Sequence, residues 1–498
     1  MILAIDQGTT GSRSMLLDIS GRVIGSAYRE FPQYFPESGH VEHDAIEIWD
    51  SVRATIDEAL SSAVRVPSDV LAVGITNQRE TTIVWDRETG VPLARAVVWQ
   101  DRRTADRCQQ LRAGGHEPDI RARTGLVLDP YFSATKLEWL LDRNPDWRRR
   151  AEEGSLAFGT VDSWIIHRLT GGRVHATDHT NASRTMLYSL NEGAWDPVLC
   201  DRFGIPSAML PDVRTSAGDF GHTDSAVFGA EVPVAGVAGD QQAALYGQGG
   251  WSVGEAKNTY GTGAFLLLHT GPDRGPDVPG VLTTVACGRR GDRAFAYEGA
   301  ILIAGAAVQW LRDGLQILRG ATESEGMARS VDSTDGLVFV PSLVGLGTPH
   351  WEPRARGAVL GISRGTRTEH LVRAALEAMA YSTVDALQAM LAGAGLDLRS
   401  LRADGGAARN DWLMQFQADA LGVPVRRPQA TELTAIGAAG LAGVATGVWS
   451  EPEEFLAARG AERVFEPGPG AEAAADGIRQ WRRAVRAVLG WSRDEEGP

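Results

Sequence analysis

The chain opens on a short apolar run, Ile2-Leu3-Ala4-Ile5, breaks at Asp6-Gln7-Gly8-Thr9-Thr10-Gly11, and returns through Ser14-Met15-Leu16-Leu17-Asp18. An apolar run, a turn rich in Gly and Thr and a second apolar run predict a β-hairpin. Near the middle of the chain the pattern recurs: Lys257-Asn258-Thr259-Tyr260 leads into Gly261-Thr262-Gly263 and then Ala264-Phe265-Leu266-Leu267-Leu268. Two halves that begin alike imply two related domains rather than a short repeat array. Leu71–Ile75, Ala96–Trp99 and Val234–Ala238 read as further buried strands. Asp44 is placed to cap a helix running to about Ala63, with Ile46, Trp49, Val52, Ile56 and Leu60 on one face. Leu371–Leu391 is a second long helical pattern, and the Gly-rich stretch Tyr246–Gly254 suits a hinge or junction. Mixed strands and helices in both halves predict an α/β protein with an interdomain cleft, divided as 1–246 and 247–498. Arg493–Pro498 reads as a frayed tail.

Composition narrows the class. A chain of 498 residues exceeds one hydrophobic core, and 43% apolar with 22% charged residues is globular. The 49 basic and 63 acidic residues give a net charge of −14, which argues against a nucleic-acid-coating protein or a basic membrane-surface binder. An anionic ligand must then be held by local donors. Cys108, Cys200 and Cys287 form no C-x-x-C pair, so a reducing, cytoplasmic setting is expected. No apolar run approaches the ~20 residues of a membrane span, and Met1 leads directly into the first strand without a basic leader segment. Lys136 and Lys257 are the only lysines, so the remaining basic residues are all Arg, and a codon-level bias is the simple reading.

The candidate chemistry sits at strand ends. Asp6–Arg13 offers backbone N–H groups and hydroxyls to an anion, an acid to a metal, and a fixed positive charge, although an ordinary hairpin turn reads equally well in isolation. A second Gly-Thr turn at 261–263 changes the balance, since two such hairpins could grip a polyphosphate from opposite sides of a cleft. Gly405-Gly406 before a helix opening at Asn410 would let a flat ligand lie close to the backbone, or is a tight turn. Arg79-Glu80, within Thr76–Thr82, puts donors beside an acceptor, as a polyol needs; the alternative is a solvated edge strand. Asp240, at the end of an apolar strand, is a candidate general base or a helix N-cap.

Taken together these segments resemble the FGGY carbohydrate kinases of the actin/hexokinase/heat-shock ATPase superfamily. The match runs through Asp6–Arg13, Gly39–Asp44, Gly74–Thr82, Trp99–Arg103, Thr124–Lys136, Gly159–Trp164 and Thr180–Met186. It continues through Gly239–Ala244, Asn258–Gly263, Gly305–Asp313, Gly345–Trp351, Asp404–Asn410 and Gln415–Asp419. The string Asn77-Gln78-Arg79-Glu80-Thr81-Thr82 is similar to that of the members that phosphorylate glycerol, and ketose and aldonate kinases carry a different one. The resemblance implies ATP-dependent conversion of glycerol to sn-glycerol 3-phosphate in glycerol uptake and catabolism, with Mg²⁺. It implies that Arg79, Glu80, Tyr131, Asp240 and Gln241 hydrogen-bond glycerol, that Trp99 and Phe265 pack on its carbons, and that Asp240 accepts the hydroxyl proton. Thr9, Thr10, Gly11 and Arg13 would line the phosphate site from the first domain and Thr262 from the second. Gly305, Gln309, Gly406 and Asn410 would surround the nucleotide, and Asp6 and Asp240 would approach the metal. A homo-oligomer, dimer or tetramer, is expected, with no nucleic-acid partner and no integral membrane association.

Two departures from the family stand out. Gly11 replaces the usual Ser, which keeps the backbone N–H and predicts a small effect. Some members bind fructose 1,6-bisphosphate at a Gly-rich loop ending in Arg, and others are activated by phosphorylation of a His in that loop. Here the stretch His222–Pro233 has no Arg, one Gly, acids at Asp224 and Glu231, and Ala226 at the place of the His. This predicts insensitivity to both effectors. The rival readings are an FGGY kinase for another polyol or sugar, a nucleotide-switch ATPase, and a catalytically dead binding protein. In a nucleotide switch Arg79, Glu80, Tyr131 and Trp99 would have no evident task, and intact Asp6 and Asp240 speak against dead catalysis.

Overall fold

In the first strand, Ile2–Gln7, successive side chains go to opposite faces, and Ile2, Leu3, Ala4 and Ile5 are all buried. The strand must therefore be covered on both sides. Leu3 and Ile5 pack against helices Ala45–Ser62 and Val161–Leu169. Ile2 and Ala4 pack against helix Leu433–Ala445, from near the other end of the chain. The computed structural model describes residues 1–456 and 460–493.

Ile2–Gln7 is the middle of a five-stranded sheet in the order Val234–Gly239, Ala72–Asn77, Ile2–Gln7, Gly11–Leu17, Val23–Glu30. The first three are parallel, and the last two continue as antiparallel hairpins. The C-terminal half repeats this plan. Glu255–Tyr260 pairs antiparallel with Ala264–Gly271 and parallel with Ser400–Asp404, in the middle of a seven-stranded sheet. Helices Gly305–Asp313, Thr368–Ala394 and Asp411–Leu421 cover one face of it.

Two helices tie the lobes together. Asp240–Gly247 follows the last strand of the first sheet, and its Leu245 packs on Leu267, Ala286 and Ala296 of the second. Leu433–Ala445 makes the reciprocal excursion. At their crossing a Cβ on Gly437 would lie 1.9 Å from the Ala243 carbonyl, and one on Gly247 would lie 2.1 Å from that of Leu433. Only glycine permits that approach.

Several expectations shift. Asp44 does cap a helix, accepting from the Ile46 N–H at 2.8 Å, but Ile46 is 38% exposed and Ile48 takes its place in the core, because the stripe is set by Ala45, Ile48, Trp49 and Val52. The first strand runs on through Asp6 and Gln7, and the segment at Ala96 is only the two-residue strand Ala96–Val97. Tyr246 and Gly247 are buried and helical, so the connecting segment is the shorter Gln248–Gly254. The final helix includes Arg493; the rest of the predicted tail, 494–498, lies outside the described residues. Cys108, Cys200 and Cys287 are buried and free. Among the described residues no helix is long and apolar enough to cross a membrane.

Candidate active site

The strand Ala72–Asn77 delivers Gln78, Arg79 and Glu80 to the cleft, and all three are buried rather than set on a solvated edge. The Thr81 N–H donates to the Arg79 carbonyl at 2.7 Å, a γ-turn whose central residue Glu80 has φ +61°. A non-glycine residue in the left-handed region is strained and persists only where its surroundings fix it. Here the Ser133 hydroxyl donates to the Glu80 carbonyl at 2.8 Å, and Arg184 Nε meets Glu80 Oε1 at 2.6 Å. The turn sends two adjacent charged side chains inward together.

Below it lies a balanced buried set, Arg79 and Arg184 with Glu80 and Glu298. Arg79 grips Glu298 through Nη1 at 2.6 Å and Nη2 at 3.2 Å, and Arg184 Nη2 adds a bond at 2.9 Å. Burial opposes the charge on Glu298, but Arg184 and Arg79 override it and hold the carboxyl below the usual range. Glu80 has fewer donors, and burial pushes its carboxyl up despite Arg79 and Arg184. Arg79 Nη2 also reaches the Tyr131 hydroxyl at 3.3 Å, and its Nε stands 3.2 Å from Asp240 Oδ1. Tyr131, Trp99 and Phe265 are partly buried and meet edge-on, with ring centroids 5.5 and 6.5 Å apart. They form an apolar wall beside the charges.

Asp240 is the first residue of its helix; Gly239, not Asp240, is the N-cap. Its side chain is 34% exposed, so a substrate can reach it. The Gln241 N–H donates to Oδ1 at 2.7 Å. Gln241 Oε1 accepts from Lys257 Nζ at 2.5 Å.

The two Gly-Thr turns lie at the ends of the two central strands. In the first, the Thr9 hydroxyl accepts from Trp99 Nε1 at 3.0 Å, and Thr10 is exposed. Asp6 and Arg13 are cross-strand partners. Arg13 Nε pairs with Glu432 at 3.1 Å and its guanidinium lies over Tyr28. Burial and the neighbouring Asp240 push the Asp6 carboxyl up to about 7. A Cβ at Gly11 would lie 2.7 Å from the Tyr28 ring and from the Arg29 carbonyl, so the room a Ser would need is already filled. In the second turn the Thr262 carbonyl accepts from the N–H groups of Ala304 and Ala306, which seats the turn on the start of helix Gly305–Asp313. Gly405 approaches the Tyr260 carbonyl, so the Gly405-Gly406 loop reaches the same strand end. Gly406 and Gln309 are exposed there. Asn410 caps helix Asp411–Leu421 through the Leu413 N–H at 2.9 Å and donates to Ser324 at 3.4 Å.

Residues 1–247 match the N-terminal domain, and residues 256–446 the C-terminal domain, of the FGGY family of carbohydrate kinases. The chain is 51% identical over 495 residues to the glycerol kinase of Deinococcus radiodurans, covering 99% of both chains. It is 51% identical over 489 residues to that of Geobacillus sp. strain WCH70. The solved glycerol kinase of Plasmodium falciparum with ADP superposes with a TM-score of 0.92 over 98% of each chain, at 33% identity. The chain belongs to the FGGY family of carbohydrate kinases. Its two α/β lobes have the actin/hexokinase-like arrangement of that fold.

For this FGGY kinase, sequence reasoning missed Arg184 and Glu298. Arg184 was within reach only as part of a family segment. Glu298 had a signal of its own, a single acid inside the apolar strand Arg293–Ile301. The loop before the Asp240 strand also differs from expectation. Arg173, from outside it, pairs with Asp224 at 2.5 Å and donates to the His222 carbonyl, so one of the loop's two acids is partly neutralised. Asp6 and Asp240 fit a divalent cation, because their mutual repulsion is what a cation would relieve. Among the described residues no group of three His, Cys, Asp or Glu forms a metal cage. Waters and a ligand's phosphates would supply the remaining coordination.

Proposed function

We propose that this chain transfers the γ-phosphoryl group of ATP to a terminal hydroxyl of glycerol, giving sn-glycerol 3-phosphate and ADP. The observation that carries the reading is the buried Arg79–Glu80–Arg184–Glu298 set beneath the Tyr131, Trp99 and Phe265 wall, beside a reachable Asp240. Arg79, Glu80, Tyr131 and Gln241 pair the three hydroxyls, and Trp99 and Phe265 cover the carbons. A substrate this small is told apart by its hydroxyls, since a wrong one leaves buried donors unpaired.

Asp240 Oδ1 is held by Arg79 and the Gln241 N–H, and its carboxylate accepts the proton of the attacking hydroxyl. The glycerol oxygen bonds to the γ-phosphorus as the bond to the β–γ bridging oxygen breaks, and ADP leaves. Phosphoryl transfer is mostly positioning and charge stabilisation. Thr9, Thr10, Gly11 and Arg13 from one lobe and Thr262 from the other align the phosphates, and Gly305, Gln309, Gly406 and Asn410 hold the nucleoside. Residues 1–246 thus supply the glycerol and phosphate side and 247–498 the nucleotide side. Asp6 and Asp240 would hold a bound Mg²⁺, which would supply charge neutralisation to the triphosphate. Closure of the cleft about Gln248–Gly254 excludes water and limits idle hydrolysis. The enzyme works in the cytoplasm as a homo-oligomer.

A coupled ADP-release assay with and without glycerol tests the reading. The expected result is release that depends on glycerol, with a panel of other polyols and sugars giving much lower kcat/KM. Release independent of glycerol would favour a nucleotide switch instead.

A further inference from the structure

The two lysines stand in a chain whose other basic residues are all Arg, and both lie against the candidate glycerol site with no exposed surface. A codon-level bias accounts for the arginines; it does not account for where the exceptions fall. Lys136, on helix Ser133–Asp142, donates through Nζ to the carbonyls of Pro130 at 2.5 Å, Tyr131 at 2.8 Å and Phe132 at 3.4 Å. Those three residues are the segment that carries the Tyr131 ring to Trp99 and its hydroxyl to Arg79. Three carbonyls converging on one point suit a compact ammonium, not a flat guanidinium with its donors in a fixed fork.

Lys257, on the central strand of the second sheet, donates to Gln241 Oε1 at 2.5 Å and to the Thr259 hydroxyl at 2.7 Å. An ammonium has donors only. Gln241 must therefore turn its oxygen to Lys257, which leaves its NH₂ as the group it can offer elsewhere. The contact also crosses between lobes, since Gln241 follows the first sheet and Lys257 lies in the second. Burial disfavours both charges, so a neutral residue would suit a purely structural role better.

We propose that Lys136 and Lys257 are positioning residues of the glycerol site: Lys136 fixes the backbone that presents Tyr131, and Lys257 fixes the amide of Gln241 so that its NH₂ faces a glycerol hydroxyl. The proposal rests on the reading that the chain phosphorylates glycerol.

The test measures glycerol KM, ATP KM and Tm for the full chain and for Lys257→Met, Lys257→Arg and Lys136→Met. Each variant is expected to raise glycerol KM roughly ten- to hundredfold, the effect of one charged hydrogen bond, with ATP KM within about twofold. In a double-mutant cycle, Lys257→Met with Gln241→Ala is expected to be no worse in glycerol KM than the poorer single variant, because both remove one interaction. Lys136→Met with Tyr131→Ala should behave likewise. If Lys136→Met does not fold, Lys136→Arg replaces it with the same expectation. Unchanged glycerol KM, additive cycles, or equal losses for glycerol and ATP with a lowered Tm would overturn the proposal. A wild-type chain whose ADP release ignores glycerol would instead overturn the functional reading on which it rests.

Discussion

In both lobes the N–H of the first turn glycine donates to the carbonyl of the last, Gly8 to Gly11 at 2.9 Å and Gly261 to Gly263 at 2.8 Å. The flanking pairs are Gln7 with Ser12 and Tyr260 with Ala264, so the N-terminal turn is one residue longer. One step further from the turn, the first lobe sets Asp6 opposite Arg13, and the second sets Thr259 opposite Phe265. The first turn is thus ringed by charge, with Glu432 and Asp240 near it. The second has a phenyl ring toward Trp99 and two N–H groups of a helix start against its own carbonyl. One scaffold used twice has kept its backbone and divided its side chains. Charged chemistry is expected to fail when the first lobe is altered, and the second lobe is expected to tolerate more.

The largest effect should come from Asp240→Asn. We expect kcat to fall by roughly 10²–10⁴-fold with nucleotide binding largely intact. Thr262→Ala, on the turn of the second lobe, should cost far less; equal losses in the two would erase the asymmetry. Steady-state kinetics on both decide it.

Arg79→Ala should come next. It removes two of the three guanidinium bonds to buried Glu298, and breaking such a pair from one side costs about 3–5 kcal/mol of stability. Glycerol KM should rise more than ATP KM, and Glu80→Ala should share that preference with a smaller fall in Tm. An unchanged glycerol KM in both would move the polyol elsewhere.

Asp6→Asn isolates the charge on the first turn. The folded carboxyl titrates at about 7 against an ordinary 3.8, so between those values the folded chain binds more protons than the unfolded one. This contribution to stability is present at low pH and is lost as pH rises through 7. The substitution should therefore raise Tm more at pH 8 than at pH 5 while lowering activity, which thermal melts at the two pH values would check. A gain larger at pH 5 would contradict the sign.

Gly11→Ser should have a modest effect, and through packing rather than phosphate contact. Crowding against Tyr28 is expected to cost about 1–3 kcal/mol, and Tyr28→Ala should restore part of it. A lower ATP KM without loss of Tm would show that the hydroxyl finds room. The smallest expected change is none: millimolar fructose 1,6-bisphosphate and the sugar-transport phosphocarrier system should leave the rate unaltered, and strong inhibition or several-fold activation would contradict the loop reading.

Local chemistry was legible in the sequence, and its distant partners were not. Both hairpins follow from Gly-Thr turns between apolar runs, and Asn410 opening its helix follows from a cap preference that acts over three residues. Asp240 was visible as an acid at a strand end. Glu298 is 219 residues from Arg79 and 114 from Arg184, and no local periodicity reports such a pairing. A Gly-rich junction signals flexibility, whereas Gly247 answers to steric contact with a helix nearly two hundred residues later. Composition flagged the two lysines; only the fold gives their neighbours.

Helix Leu433–Ala445 completes a sheet that the ribosome began with residue 2. At 5–20 residues per second, on the order of 20–90 s separate the emergence of Ile2 from that of the helix that covers it. For that interval one face of the first sheet lacks its main covering helix. A product that stopped at residue 432 would leave Ile2, Ala4, Ala72 and Ala235 without that cover, a patch that invites chaperones or self-association rather than a smaller working enzyme.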